Sequence, residues 1–366
     1  MSKHTYSSGI IQLYKNIKMK RNKITTVIRL VMFVSIIIIA AACKKNDASV
    51  NINYPAAYVV NGEDASISVI RLSDNTLSET IELMGGSSGM IMWPHHIYNH
   101  ENHLAIGVPG MDLSAGHSGG MAGMLGKIVI VDATMGTIIK DMETPMMNHN
   151  AIYSPDGTEI WTSQMDAAGT VLVYNASDYS LKNTIVVGED PAEVTFSADG
   201  TKAYVCNGGS NSVTVINPAT KAVITTLSVG LDPVGAWTSS IGKMFIDNEA
   251  GNSISVIDVA TNAVVGTVNL GFMPGYAAYH TSTGELWVSD PENGKVAYFL
   301  DMGSNNWMKH GEFATGAGAH AIAFNGNTAY ITNQMANTVS VVNVTNHTVA
   351  KTINVGKKPN GIVIKQ

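Results

Sequence analysis

Four histidines, His95, His96, His149 and His320, stand at matching places in a repeating sequence, and methionines crowd the segments beside them. The segment 108–126 alone holds Met111, His117, Met121 and Met124. Imidazole together with thioether is the ligand set of copper, and thioether suits Cu(I) in particular. His95, His96, His149, His320, His117, Met121 and Met124 are therefore the candidate metal ligands, with copper as the ion they point to. Each has a plainer reading. A His at a strand start is commonly solvated or hydrogen-bonded, and loop methionines make soft apolar contact surfaces. Glu193, next along the same arc, and Asp190 are candidate bases at the rim, but an Asp-Pro before a strand is ordinary turn chemistry. A Walker loop, a His-Glu-x-x-His pair and a Cys-x-x-Cys pair are absent from the sequence, and no catalytic residue is assigned.

The elements that must position these side chains follow from a repeat. Tyr204-Val-Cys-Asn207 is followed by a short polar turn and then Ser212-Val-Thr-Val-Ile-Asn217. Phe245-Ile-Asp-Asn248 precedes Ser253-Ile-Ser-Val-Ile-Asp258, and Tyr330-Ile-Thr-Asn333 precedes Thr338-Val-Ser-Val-Val-Asn343. Trp161-Thr-Ser-Gln164 and Trp287-Val-Ser-Asp290 are variants, and Tyr58-Val-Val-Asn61 opens the series. From Trp161 the aromatic recurs in steps of 43, 41, 42 and 43, and glycines at 188, 230, 271, 316 and 356 close the units. Each unit contains four short apolar or alternating runs, which is strand patterning. Turn sequences such as Ser154-Pro-Asp-Gly157 and Ser197-Ala-Asp-Gly200 connect them. Four-stranded units of ~40–45 residues make propeller blades.

Six blades run over about 94–144, 148–188, 191–230, 233–271, 274–316 and 319–356, and a seventh is split. Residues 360–365 supply its first strand and residues 56–83 its other three. That closure leaves no free sheet edge. The expected fold is thus all-β, a seven-bladed β-propeller over residues 56–366 with four-stranded blades. At these motifs the sequence resembles the YVTN-type propeller repeat family, exported and surface-layer-like proteins also called YncE-like. The resemblance implies the fold over the whole of 56–366. It implies little about function, because propellers host many activities.

Strand direction then places the candidates. The first strand of each blade starts at one face, here called the top, and the loop after the second strand returns there. The residues after the Pro position of each blade are His95, His149, Ala192, Val234, Gly275, His320 and Asn360. In ring order the blades carrying His320, Asn360, His95/His96 and His149 are consecutive, so the histidines share one arc of the channel rim. The 108–126 insertion is a top loop beside that arc, and eleven of the sixteen methionines beyond residue 43 fall in top loops. Alternation along a strand sends His95 and His96 to opposite faces, so both reach one ion only where the strand start is irregular. An adjacent His pair with isolated His from other blades loosely resembles the propeller of nitrous-oxide reductase, which implies only that a channel end can hold copper.

The N-terminus adds a compartment. Lys18, Lys20, Arg21 and Lys23 precede an apolar stretch, Leu30 to Ile39, then Ala40-Ala41-Ala42 and Cys43. This resembles a lipoprotein signal: residues 1–42 form the signal peptide, Cys43 carries the lipid and residues 43–55 form a linker. Met19 heads a more typical leader than Met1 and is an alternative start. The ten apolar residues are short for a membrane span, which needs ~20. Residues 1–43 hold seven Lys/Arg and no Asp/Glu, leaving 15 basic against 28 acidic side chains beyond them. So acidic a domain has no footprint for nucleic acid. Cys206, in an apolar strand, reads as a buried inert thiol. Two functions follow as expectations. One is a non-enzymatic binding or scaffold lipoprotein, anchored by lipid to the bacterial envelope, that offers its top face to a protein or small-molecule partner. The other is a copper-binding envelope protein, with the option of redox chemistry, that uses the His/Met rim.

Overall fold

The computed structural model describes residues 50–83, 89–114 and 124–366. The expected signal peptide, Cys43, Met84, His117 and Met121 lie outside the described residues. Val50–Gln366 forms one compact unit of seven four-stranded antiparallel sheets, and no helix occurs among the described residues. The closing blade joins β28 (Pro359–Lys365) to β1 (Ala56–Asn61), β2 (Ser66–Arg71) and β3 (Thr76–Glu82). This is the split blade that the repeat count requires. Blade one is β4 (Ile97–His100), β5 (His103–Val108), β6 (Gly126–Asp132) and β7 (Thr137–Thr144). Blade two is β8 (Ile152–Tyr153), β9 (Glu159–Gln164), β10 (Thr170–Asn175) and β11 (Leu181–Val186). Blades three to six begin at β12 (Pro191–Phe196), β16 (Pro233–Thr238), β20 (Tyr276–His280) and β24 (Ala319–Asn325).

Innermost strands of neighbouring blades touch around most of the ring, and between blades two and three β12 meets β9. The core is correspondingly divided into seven interblade clusters. Tyr58, Ile67, Ile97 and Leu104 meet between the closing blade and blade one, and Trp161, Val171, Val194 and Phe196 between blades two and three. Each fully buried residue of this size contributes about 1.5–3 kcal/mol. The outermost strands alternate toward solvent, as in Thr348–Asn354, where only Ile353 is buried.

The recurring Asn explains itself here. At the end of the second strand it pins the hairpin to the third. Asn61 donates to Ser66 and Ser68, Asn207 to Ser212 and Thr214, Asn248 to Ser253 and Ser255, and Asn333 to Thr338 and Ser340, all at 3.0–3.2 Å. The closing glycine of the preceding blade packs on that Asn. A Cβ on Gly188, Gly230, Gly316 or Gly356 would come within 2.5–2.7 Å of Asn207, Asn248, Asn333 or Asn61. Trp161 and Trp287 instead donate their indole N–H to Glu159 and Glu285.

Candidate metal centre

Blades one and two break this pattern at the top. Val108 and Gln164 stand where the Asn would be. Their innermost strands are also short: β4 starts only at Ile97, and β8 is a two-residue strand paired at Ile152↔Trp161 and Tyr153↔Ile160. His95, His96 and His149 therefore precede regular pairing. The backbone at His95 and His96 is held by two bonds to one residue, His95 N–H to the Gly107 carbonyl (2.9 Å) and Gly107 N–H to the His96 carbonyl (3.1 Å). A Cβ on Gly107 would lie 2.5 Å from the Asn150 Cα, so only glycine lets blade two approach this closely.

The result is convergence. His95, His96 and His149 are each no more than 3% exposed, and one nitrogen from each lies within 4.8 Å of the others. Ring centroids stand 4.4 Å apart for His95–His149, 4.5 Å for His95–His96 and 4.8 Å for His96–His149. The irregular start lets two successive side chains turn to one place. His320 flanks the group, its ring 5.9 Å from both His95 and His96. It sits at a register shift in β24 between Ala319 and Ile322.

Glu193 completes the cluster. Fully buried in the bulge of β12 between Pro191 and Val194, it places Oε1 3.1 Å from His96 Nε2 and 3.1 Å from His149 Nδ1. Burial, reinforced by the Asp247 and Glu249 carboxyls, holds its carboxyl well above the usual carboxylate range. Beyond the imidazoles lies an aromatic floor. Trp237 and Tyr276 pack at a tilt of 33° with centroids 3.7 Å apart, 6.0 and 6.3 Å from His96. Gly235 makes this packing feasible, since a Cβ there would meet the Trp237 ring at 2.4 Å. Burial, and after it the charge of Glu193, raises the Tyr98 and Tyr276 hydroxyls, so both stay protonated. Cys206 is buried with its thiol pushed up, as expected of an inert side chain.

The sequence reading placed the four histidines on one arc, and the structure brings three of them to a point. The expectation for Glu193 is a rim base, not a partner of the imidazoles, and Tyr98, Trp237, Tyr276 and Asp247 stand outside the expected set. The signal for two of these was present: His96, Glu193 and Tyr276 occupy the same aligned position, one residue beyond the rim position. Met124 joins a separate apolar cluster with Leu113, Met111, Met147 and Met165. The described start of the insertion is tethered sideways, with Asp112 3.4 Å and Ser114 3.1 Å from the Lys358 ammonium.

No family model matches the chain, and no curated protein matches it. Solved structures share its fold. A functionally unknown protein from Desulfotomaculum acetoxidans is 15% identical with a TM-score of 0.68, over 84% of this chain and 98% of that one. The periplasmic gluconolactonase PpgL of Pseudomonas aeruginosa is 16% identical with a TM-score of 0.67, over 85% and 99%. A protein described as a 6-phosphogluconolactonase of Bacteroides fragilis is 15% identical with a TM-score of 0.64, over 86% and 99%. At such identities the likeness is one of fold, and the chain is a seven-bladed β-propeller.

Proposed function

We propose that this chain is a YVTN-type propeller lipoprotein of the bacterial envelope that binds a first-row transition metal, copper foremost, at the top of its channel. The observation that carries the reading is the buried meeting of His95, His96 and His149 with Glu193 against two of the rings. A scaffold that presents only its outer face gains nothing from burying three imidazoles and a carboxyl, a costly arrangement unless their polar atoms are satisfied. Imidazole suits copper, zinc, iron and nickel, and Cu(II) binds most tightly of the divalent series. With metal–nitrogen bonds of about 2.0–2.1 Å, a tetrahedral set has its nitrogens roughly 3.4 Å apart. The rings, now within 4.8 Å, close on the ion by at most about 1.4 Å. Glu193 acts as the orienting carboxylate behind His96 and His149, the usual partner of a metal-bound imidazole. Cys43 supplies the lipid anchor.

The test is metal stoichiometry. The purified protein, loaded with Cu(II) or Zn(II) and desalted, is expected to retain one ion per chain, with nitrogen hyperfine structure in the Cu(II) spectrum. The double variant His95→Ala/His149→Ala loses it, and Glu193→Gln weakens it about 10–100-fold. Equal retention by wild type and double variant overturns the reading. Two fold neighbours are named gluconolactonases, so gluconolactone hydrolysis is assayed alongside with and without metal. Turnover that survives in the metal-free protein replaces the binding function by a hydrolytic one. For the anchor, Cys43→Ser is expected to leave the membrane fraction or to persist as an uncleaved precursor, and wild-type fractionation removes the lipoprotein assignment.

A further inference from the structure

We propose a second site, built from thioethers alone, that takes a soft monovalent ion: Met111, Met124, Met147 and Met165 as a Cu(I) site, with Ag(I) as its redox-silent equivalent. It stands independently of the imidazole centre. The seven interblade clusters are the seams of the ring. They are filled mainly with aliphatic and aromatic side chains, and Met244 and, at a margin, Met142 are their only thioethers among the described residues, with the Cys206 thiol the one other sulfur. An eighth cluster belongs to the top loops of blades one and two. It consists of Leu113, Met147 and Met165, buried, with Met111 and Met124 partly exposed against them.

Four loop ends meet there: the chain leaving β5, the chain entering β6, the chain entering β8 and the chain leaving β9. The buried pair is fixed by backbone. Met165 N–H donates to the Met147 carbonyl at 2.9 Å, Gly126 N–H to the Met146 carbonyl at 3.1 Å, and Met146 N–H to Gln164 Oε1 at 3.0 Å. Met147 and Met165 thus present a preset edge, and Met111 and Met124 form the side open to solvent.

Packing alone does not call for this composition. Methionine loses more rotamer freedom on burial than the Val, Ile and Leu that fill every seam. Thioethers are neutral, polarizable donors, and Cu(I) is the biological ion that prefers them. Neutral donors suit a monovalent ion, and the acidic surface of the mature chain draws cations toward it. Met147 lies two residues before His149 on one segment, so the soft site borders the imidazole site without sharing a side chain with it.

The experiment titrates the full purified chain with Ag(I), and anaerobically with Cu(I) against a chromogenic Cu(I) chelator. Wild type is expected to hold one soft ion at these sulfurs. Met147→Leu/Met165→Leu, which keeps apolar volume, is expected to lose at least 100-fold in Ag(I) affinity with an unchanged melting transition. His95→Ala/His149→Ala keeps the Ag(I) site, which separates this proposal from the preceding one. Should the leucine variant fail to fold, the methyl resonances of the four methionines in wild type decide. They shift together on adding one equivalent of Ag(I) if the proposal holds. Wild-type affinity in a folded leucine variant, or methyl resonances that do not move, overturns it, and the cluster is then a packing contact only.

Discussion

Blades three, four, six and the closing blade differ from blades one and two in how their top ends are held. In the former, an Asn bonded to two hydroxyls fixes the second strand to the third and also faces the first residue of the innermost strand, as in Pro191↔Asn207 and Pro233↔Asn248, with a bulge before pairing resumes at Val194 and Ala236. In the latter, Asn148 on the connecting segment serves both blades, donating to the Lys127 carbonyl at 3.0 Å and to Thr162 Oγ1 at 3.1 Å. The pair at the Asn anchors the top end of the innermost strand and leaves only the bulged residues free to depart from strict alternation. Blades one and two lack that anchoring pair, and His95, His96 and His149 converge there. The candidate chemistry of this propeller sits where its most regular device is missing.

The sharpest way to break this comparison is Gly107→Ala. The added Cβ meets the Asn150 backbone at 2.5 Å and cannot be relieved by a side-chain turn. A loss of about 3 kcal/mol in chemical denaturation is expected, within the upper range for overpacking, together with loss of bound metal. Unchanged stability means that the approach of blade two does not position the histidines.

A reciprocal exchange of the Asn device is expected to act next most strongly. Asn207→Ala leaves the Ser212 and Thr214 hydroxyls short of a donor and costs about 2 kcal/mol. Val108→Asn puts the same residue into blade one and is expected to destabilise it as well. The facing positions there are Lys127 and Val129, which carry no hydroxyl to receive it. A stabilising Val108→Asn, read by thermal melting, shows that the two kinds of blade are interchangeable.

The smallest effect concerns the lower face. In blade four the Lys243 ammonium, 2.7 Å from Asp258, and the Thr261 hydrogen bonds lower the Asp258 carboxyl to about 2. A folded-state value below the unfolded value of 3.8 stabilises the fold above that pH and loses its contribution as pH falls toward 2. Because the pair is partly exposed, the effect is at most about 1 kcal/mol. Asp258→Asn is expected to flatten the decline of the melting temperature between pH 4 and pH 2 without touching metal binding. An unaltered acid limb removes the ion pair from the account.

The fold was legible because its evidence is periodic. Aromatic, Asn and Gly recur at fixed steps, and the turns carry Asp-Gly. The arc of histidines was legible from the same register. The convergence itself was not, because nothing in His95-His96 announces that strand pairing begins only at Ile97. Glu193 was visible as a neighbour but not as a partner, since its bulge at Pro191/Val194 has no signature of its own. The methionines read as one population with the histidines. Space divides them, since Met124 faces Met147 and Met165, the two residues at the facing ends of blade two's top loops.

The packing of each closing glycine on the next blade's asparagine has a consequence for descent. Wherever the two meet, neighbouring repeats share one joint, half encoded in each. A repeat gained or lost by duplication joins cleanly at those seams only if the cut preserves both halves. Four of the seven seams are built this way: two into three, three into four, five into six and six into the closing blade. The seams on either side of blade one are not. There a unit is free of that pairing, and there the long 108–126 segment and the histidine cluster are carried without breaking the ring.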